Sequence, residues 1–167
     1  YLLPEAATNL AVDSFTTDSM TLSWTNGNGT RRIIVARTGS TNPIPPTLGT
    51  EYTVSSNSFS DVNNPITGTA SGVSSYVVYN GTGNSATITG LTPNQQYRFS
   101  VYEYVGTGSL ATYSTNTSIT KSTFYSEPTI QPTSVTVDNI GLTSFRINWE
   151  GGNGERSLVV VKQGSAV

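Results

Sequence analysis

Residues 91–105 read LTPNQQYRFSVYEYV, and the rest of the chain can be placed from the phase of that stretch. From Tyr97 onward, Tyr97, Phe99, Val101 and Glu103 share one face, and Arg98, Ser100, Tyr102 and Tyr104 share the other. Such two-residue alternation is what a β-strand shows when one face meets a core. Ahead of it, Thr92-Pro93-Asn94 carries turn chemistry, because Pro presets φ and Asn tolerates a positive φ. A strand over 97–105, reached through a tight corner, is therefore expected.

The same period recurs upstream. Met20, Leu22 and Trp24 alternate with Thr21 and Ser23, and 31–37 is a near-continuous apolar run, as a central strand requires. Segments 52–54, 76–79, 85–89 and 117–124 complete the expected set. No stretch sustains a period of 3.6, and Gly, Pro and Asn punctuate at short intervals, which predicts an all-β sandwich.

The chain also resembles itself. Shifting it by 125 residues lays VDSFTTDSMTLSW (12–24) on VDNIGLTSFRINW (137–149), and WTNGNGTR (24–31) on WEGGNGER (149–156). Val12, Asp13, Ser19, Trp24, Gly27, Asn28, Gly29, Arg31 and Val35 all recur. In the second copy Phe145, Ile147 and Trp149 take the inward phase. The opening YLLP (1–4) echoes the junction YSEP (125–128). This is the pattern of a duplication, and both ends read as cuts in a longer array of at least three repeats.

Composition narrows the function. Net charge is −2 and the only lysines are Lys121 and Lys162, so there is no basic field to hold nucleic acid or anionic lipid. Nine Tyr, five Phe and two Trp supply core material. There is no Cys and no His, which removes disulfides, thiol nucleophiles, the usual zinc ligands and the commonest general base. A surface rich in Thr, Ser, Asn and Gly and poor in Lys suits an extracellular setting. No apolar run approaches the roughly 18 residues of a membrane span.

The corner LTPNQQY with Phe99 and Val101, and the Trp24 that ends an inward-facing strand, resemble fibronectin type III domains. More narrowly, the chain is similar to the fibronectin type III-like repeats of large secreted and surface proteins of Bacteroidetes-type bacteria. The likeness covers 6–125 and restarts at 129, on the phrases W-x-x-G-N-G-x-R, YVVYNG (76–81) and VYEY (101–104). It implies an immunoglobulin-like sandwich with a tyrosine corner at Tyr97 and buried tryptophans at Trp24 and Trp149. It divides the chain into the end of a preceding linker (1–5), one complete domain (6–125), and a linker with the first strands A, B and C of a second, incomplete domain (126–167). The departure from ordinary fibronectin type III is a long insertion, 41–75, which is where a specialised surface is expected.

Each candidate site has a plainer competitor. A glycine-rich loop cradles phosphate only when it opens a helix; G-N-G here opens the apolar run 31–37, so a tight turn is the better reading. Arg31 and Glu103 are expected to meet across antiparallel neighbours as a structural ion pair, since a charge at a core edge needs a partner. A catalytic Glu103 would need a second carboxylate or a base. Asp13, repeated as Asp138, reads as a strand-end residue. No calcium-loop spacing exists, so no metal and no cofactor are expected. Tyr76, Tyr79, Tyr102 and Tyr104 are candidate surface contacts, with cross-strand packing as the plainer account. Asn28, Asn80 and Asn116 sit in N-glycosylation patterns, and Asp18-Ser19-Met20 is similar to the short O-glycosylation signal of Bacteroidetes-type bacteria.

The expectation is a non-catalytic repeat module at the cell surface or secreted, serving as an adhesin stalk, adhesion or spacer domain. Its partners would be neighbouring repeats, with a surface glycan or another protein as further candidates. The rival is an accessory module, carbohydrate-binding or spacing, of a secreted polysaccharide-degrading enzyme.

Overall fold

Alternation becomes eleven strands in the computed structural model, which describes residues 2–59, 61, 65–66 and 75–164. The chain divides into two compact units, Tyr1–Tyr125 and Ser126–Val167.

In the first unit, β1 (Thr8–Phe15), β2 (Met20–Thr25) and β6 (Ser85–Ile88) form one sheet in the order β1-β2-β6. The second sheet runs β4 (Pro65–Ile66), β5 (Ser75–Gly81), β3 (Arg31–Thr38), β7 (Gln96–Val105). The far edge of β7 takes β8 (Thr112–Tyr113) at Tyr104 and Val105, and β9 (Thr117–Ser122) along 96–101. These two are one closing strand interrupted over 114–116. All strand pairs are antiparallel. This is the A-B-E sheet facing the C′-C-F-G sheet, the arrangement of a fibronectin type III-like β-sandwich.

Between the sheets Met20, Leu22, Trp24, Ile34, Ala36, Ile88, Tyr97, Phe99 and Val101 are buried together. Each large apolar side chain so buried stabilises by roughly 1.5–3 kcal/mol. The corner closes as its chemistry requires. Asn94 takes φ +53°, and the buried Tyr97 accepts a hydrogen bond at its hydroxyl from the Thr92 N–H at 2.8 Å.

The second sheet is buried on its outer face too. There Ile33, Val35, Val77, Tyr102, Tyr104 and Tyr113 form a second cluster, roofed by Ile44, Tyr52, Val54 and Ile66 of the 41–75 insertion. The strand expected at 52–54 does not join a ladder. It packs onto this cluster through Tyr52 and Val54, and Asn80 Nδ2 holds the Tyr52 carbonyl at 2.6 Å. Residues 60, 62–64 and 67–74 of the insertion lie outside the described residues.

In the second unit, β10 (Thr133–Asp138) pairs with β11 (Arg146–Glu150) as a hairpin. Its register is that of β1–β2 shifted along the chain. Thr8↔Thr25, Ala11↔Ser23 and Val12↔Leu22 correspond to Thr133↔Glu150, Thr136↔Asn148 and Val137↔Ile147. Even the positive-φ residue recurs, Asn9 at +52° and Ser134 at +55°. The expected third strand is not formed: 155–164 joins no ladder. Its counterpart β3 is central, bonded on one side by β5 and on the other by β7, and among the described residues of this unit there is neither neighbour. Trp149, expected in a core, is accordingly 40% exposed and Phe145 51%.

Candidate functional site: a buried ion-pair hub and its surroundings

The turn between β2 and β3 is a joint with two jobs. Asn28 Oδ1 accepts from the Glu5 N–H at 2.7 Å, gripping the backbone that leads into β1. A Cβ on Gly27 would collide with the Glu5 carbonyl, so only glycine lets the two segments cross. The second unit repeats the device: Asn153 Oδ1 accepts from the N–H groups of Thr129 and Ile130 at 3.1 and 3.0 Å, and a Cβ on Gly152 would strike the Ile130 carbonyl.

The other job is to close over Glu103. The Gly27 N–H donates to Glu103 Oε1 at 3.0 Å, and a Cβ on Gly29 would press on the carboxylate. Glu103 is fully buried and pairs not with Arg31 but with Arg32, at 3.0 Å from Nη2 to Oε2. The expected Arg31–Glu103 pair is thus displaced by one residue. The register sets Arg32 directly opposite Glu103 and Arg31 opposite Tyr104, so Arg32 shares the inner face with Ile34 and Ala36.

Arg32 is saturated. Nε donates to both Glu103 oxygens at 3.1 and 3.3 Å. Nη1 donates to the carbonyls of Thr82 and Gly83, and Nη2 to Gly29 and Glu103. One side chain therefore ties the β2–β3 turn, the β5–β6 turn and β7. All of this carboxylate's chemistry is spent on structure. Arg31 is exposed and donates instead to Asn80 Oδ1 at 3.1 Å, beside the Tyr104 hydroxyl, which bonds the same oxygen at 3.1 Å.

The tyrosines expected at the surface are drawn in. Tyr104 is fully buried and Tyr102 is 5% exposed, because the insertion roofs the face they occupy. Burial pushes the Tyr102 hydroxyl above the ordinary tyrosine range, against a lowering hydrogen bond from Ser100. Burial does the same to Tyr113, helped by Tyr104 and Tyr52. Tyr76 is partly buried against Phe59, with ring centroids 5.1 Å apart. A bulge where β5 meets Ile34 and Val35 turns Tyr79 inward, edge-on to Trp24 at 5.6 Å. Its hydroxyl accepts from the Gly83 N–H. Beside the insertion lies an apolar groove of about 380 Å³ lined by Leu3, Leu48, Leu110 and Ala111.

Asp13 and Asp138 each tie the two strands of their hairpins, Asp138 also through an ion pair with Arg146. Ser23 Oγ donates to Asp13 at 2.8 Å, and Asn148 Nδ2 donates to Asp138 at 3.0 Å. The glycosylation-pattern asparagines are engaged internally: Asn28 and Asn80 as above, and Asn116 through Nδ2 to Ser100 and Ser118. Ser19 closes a turn with Thr16 ahead of the buried Met20. Among the described residues no three acidic side chains gather as a metal site, and no helix is long and apolar enough to cross a membrane.

Strand order, double-faced core and tyrosine corner together define a fibronectin type III-like β-sandwich. Many solved structures are similar to this chain, three of them as follows. Chitinase ChiA74 from Bacillus thuringiensis matches at 19% identity and TM-score 0.44, over 88% of this chain and 15% of the chitinase. The fibronectin type III domain of human collagen XX matches at 19% and 0.38, over 72% of this chain and 93% of that one. The fibronectin type III domain of human fibronectin type III domain containing protein 3 matches at 13% and 0.45, over 75% and 91%. No protein-family model and no curated protein matches the sequence.

Proposed function

We propose that the chain is a non-catalytic, extracellular spacer or adhesion segment of a bacterial surface or secreted protein, built from sandwich modules in series. Residues 6–125 are one whole module, and 126–167 are a linker and the opening hairpin of another. Neighbouring modules of the same chain are its first partners.

One observation carries the reading. The same G-N-G turn grips the incoming backbone in both units, Asn28 on Glu5 and Asn153 on Thr129 and Ile130. A module whose second turn holds the chain that leads into it passes orientation and tension along a series. The neutralised Glu103 fits the same role, since its carboxylate is committed to Arg32 and Gly27.

Force spectroscopy on tandem copies of residues 1–126, with parallel binding assays on neutral polysaccharides such as chitin and cellulose, tests this. Each module is expected to unfold in one step, lengthening the chain by roughly 400 Å at about 3.5 Å per residue, with no saturable polysaccharide binding. Gradual, stepless extension would overturn the spacer reading. Saturable polysaccharide binding would replace it with the accessory-module reading.

A further inference from the structure

Five residues beyond Arg32 on the same strand stands an arginine in the opposite condition. The β3–β7 register sets Arg37 directly across from Arg98, both on the outer face, in line with Val35 and Ser100. Like charges directly opposite each other on neighbouring strands destabilise a sheet, and among the described residues no acidic side chain pairs with either. Among the described residues the salt bridges are Arg32–Glu103 and Arg146–Asp138.

The two guanidinium groups are nonetheless held side by side. Asn42, at the start of the insertion, gives its side-chain oxygen to Arg98 Nε at 2.5 Å and its carbonyl to Arg37 Nη1 at a long 3.4 Å. Arg98 Nη1 also donates to Thr120 Oγ1 at 2.9 Å. Among the described residues Arg37 has only that long bond, and its Nε is buried with no acceptor. A buried donor left without an acceptor calls for an explanation. Nothing in the packing provides one, while Arg32 shows that this chain can satisfy all the donors of an arginine. Shifted by 125 residues, the Arg37 position holds Lys162, again a cation.

We propose that Arg37 and Arg98 form an oxyanion subsite, taking a carboxylate or sulfate group that spans the two guanidinium forks. Such a group has the planar pair of acceptors that arginine forks match, and it cancels the repulsion between them. Held by one long bond, Arg37 can swing its now-buried Nε and its Nη2 outward to the ligand, and Arg98, anchored by Asn42 and Thr120, offers its Nη2 donors. The Thr120 and Ser118 hydroxyls lie along the same face of β9 and suit a ligand that is itself hydroxylated, as a sugar acid is. This inference is independent of the spacer reading.

The test is an NMR titration of residues 1–126, which hold the compact first unit, following the arginine Nε–Hε resonances, assigned from single variants. Sodium glucuronate, acetate and sulfate are added at constant ionic strength, with chloride as control. Saturable shifts of the Arg37 and Arg98 resonances are expected, with a dissociation constant of about 10 mM or tighter. Arg37→Met or Arg98→Met should weaken binding at least about tenfold, while Arg31→Met leaves it unchanged. Response to glucuronate and acetate alone identifies a carboxylate ligand; response to sulfate as well identifies a general oxyanion site. Shifts no different from chloride, or saturation that survives Arg37→Met in a folded variant with a dispersed amide spectrum, would overturn the proposal.

Discussion

Removing Arg32 or Glu103 tests whether the buried pair holds the upper end of the sandwich. Glu103→Gln keeps shape and volume but leaves the Arg32 cation, 4% exposed, without its counter-charge. Arg32→Met leaves a fully buried carboxylate with only the Gly27 N–H at 3.0 Å, and strips the Gly29, Thr82 and Gly83 carbonyls of their donor. Stranding one partner of a buried pair costs about 3–5 kcal/mol. The double variant avoids the stranded charge but not the orphaned carbonyls, so a coupling of about 2–3 kcal/mol is expected rather than full recovery. Urea titration followed by fluorescence reads this, in a Trp149→Phe background so that Trp24 is the sole reporter. Arg31→Met should cost under about 1 kcal/mol, as an exposed residue does. Strictly additive singles, or an Arg31→Met change as damaging as Arg32→Met, would refute the assignment.

Trp24→Ala should lower stability by about 3–5 kcal/mol, read as a shift of the urea midpoint with circular dichroism. Gly27→Ala should cost more than about 2 kcal/mol, because its Cβ meets the Glu5 backbone rather than a movable side chain. The Tyr102 and Tyr113 hydroxyls are raised above the ordinary value of 10.0. The unfolded chain therefore releases their protons first, and stability should hold below pH 10 and fall as pH rises beyond it; thermal melts from pH 8 to 12 check the sign. With Phe145 and Trp149 half-exposed on an open-edged hairpin, the 167-residue chain should associate in light scattering, whereas a chain ending at Ser126 stays monomeric.

Several things were legible in the residues alone. Period-two alternation is a local property: Met20, Leu22 and Trp24 must share a face whatever lies opposite, and so must Tyr97, Phe99 and Val101. Turn chemistry is equally local, which is why 91–97 announced its corner. The G-N-G turn was recognisable as a bend, and its repetition at 152–154 as a duplication. What it grips was not, because the Glu5 and Ile130 backbones carry no side-chain signal of being held.

The remaining decisions were made by contacts distant in sequence. On β3 apolar residues fill both phases, since the strand is buried on both faces, so alternation carries no phase there. Only the register with β7 could choose Arg32 over Arg31, and the repeat pointed the wrong way, with Arg156 matching Arg31 and Ser157 matching Arg32. Tyr102 and Tyr104 have the outward phase of an ordinary sandwich, and only the fold of an insertion some fifty residues upstream roofs them over. Tyr79 was turned inward by a bulge, a mismatch between two strands that neither strand encodes by itself. Local periodicity determines which side chains lie together on a strand; register, insertion and partner strands decide what that face meets, because those are energies shared between segments far apart in the chain.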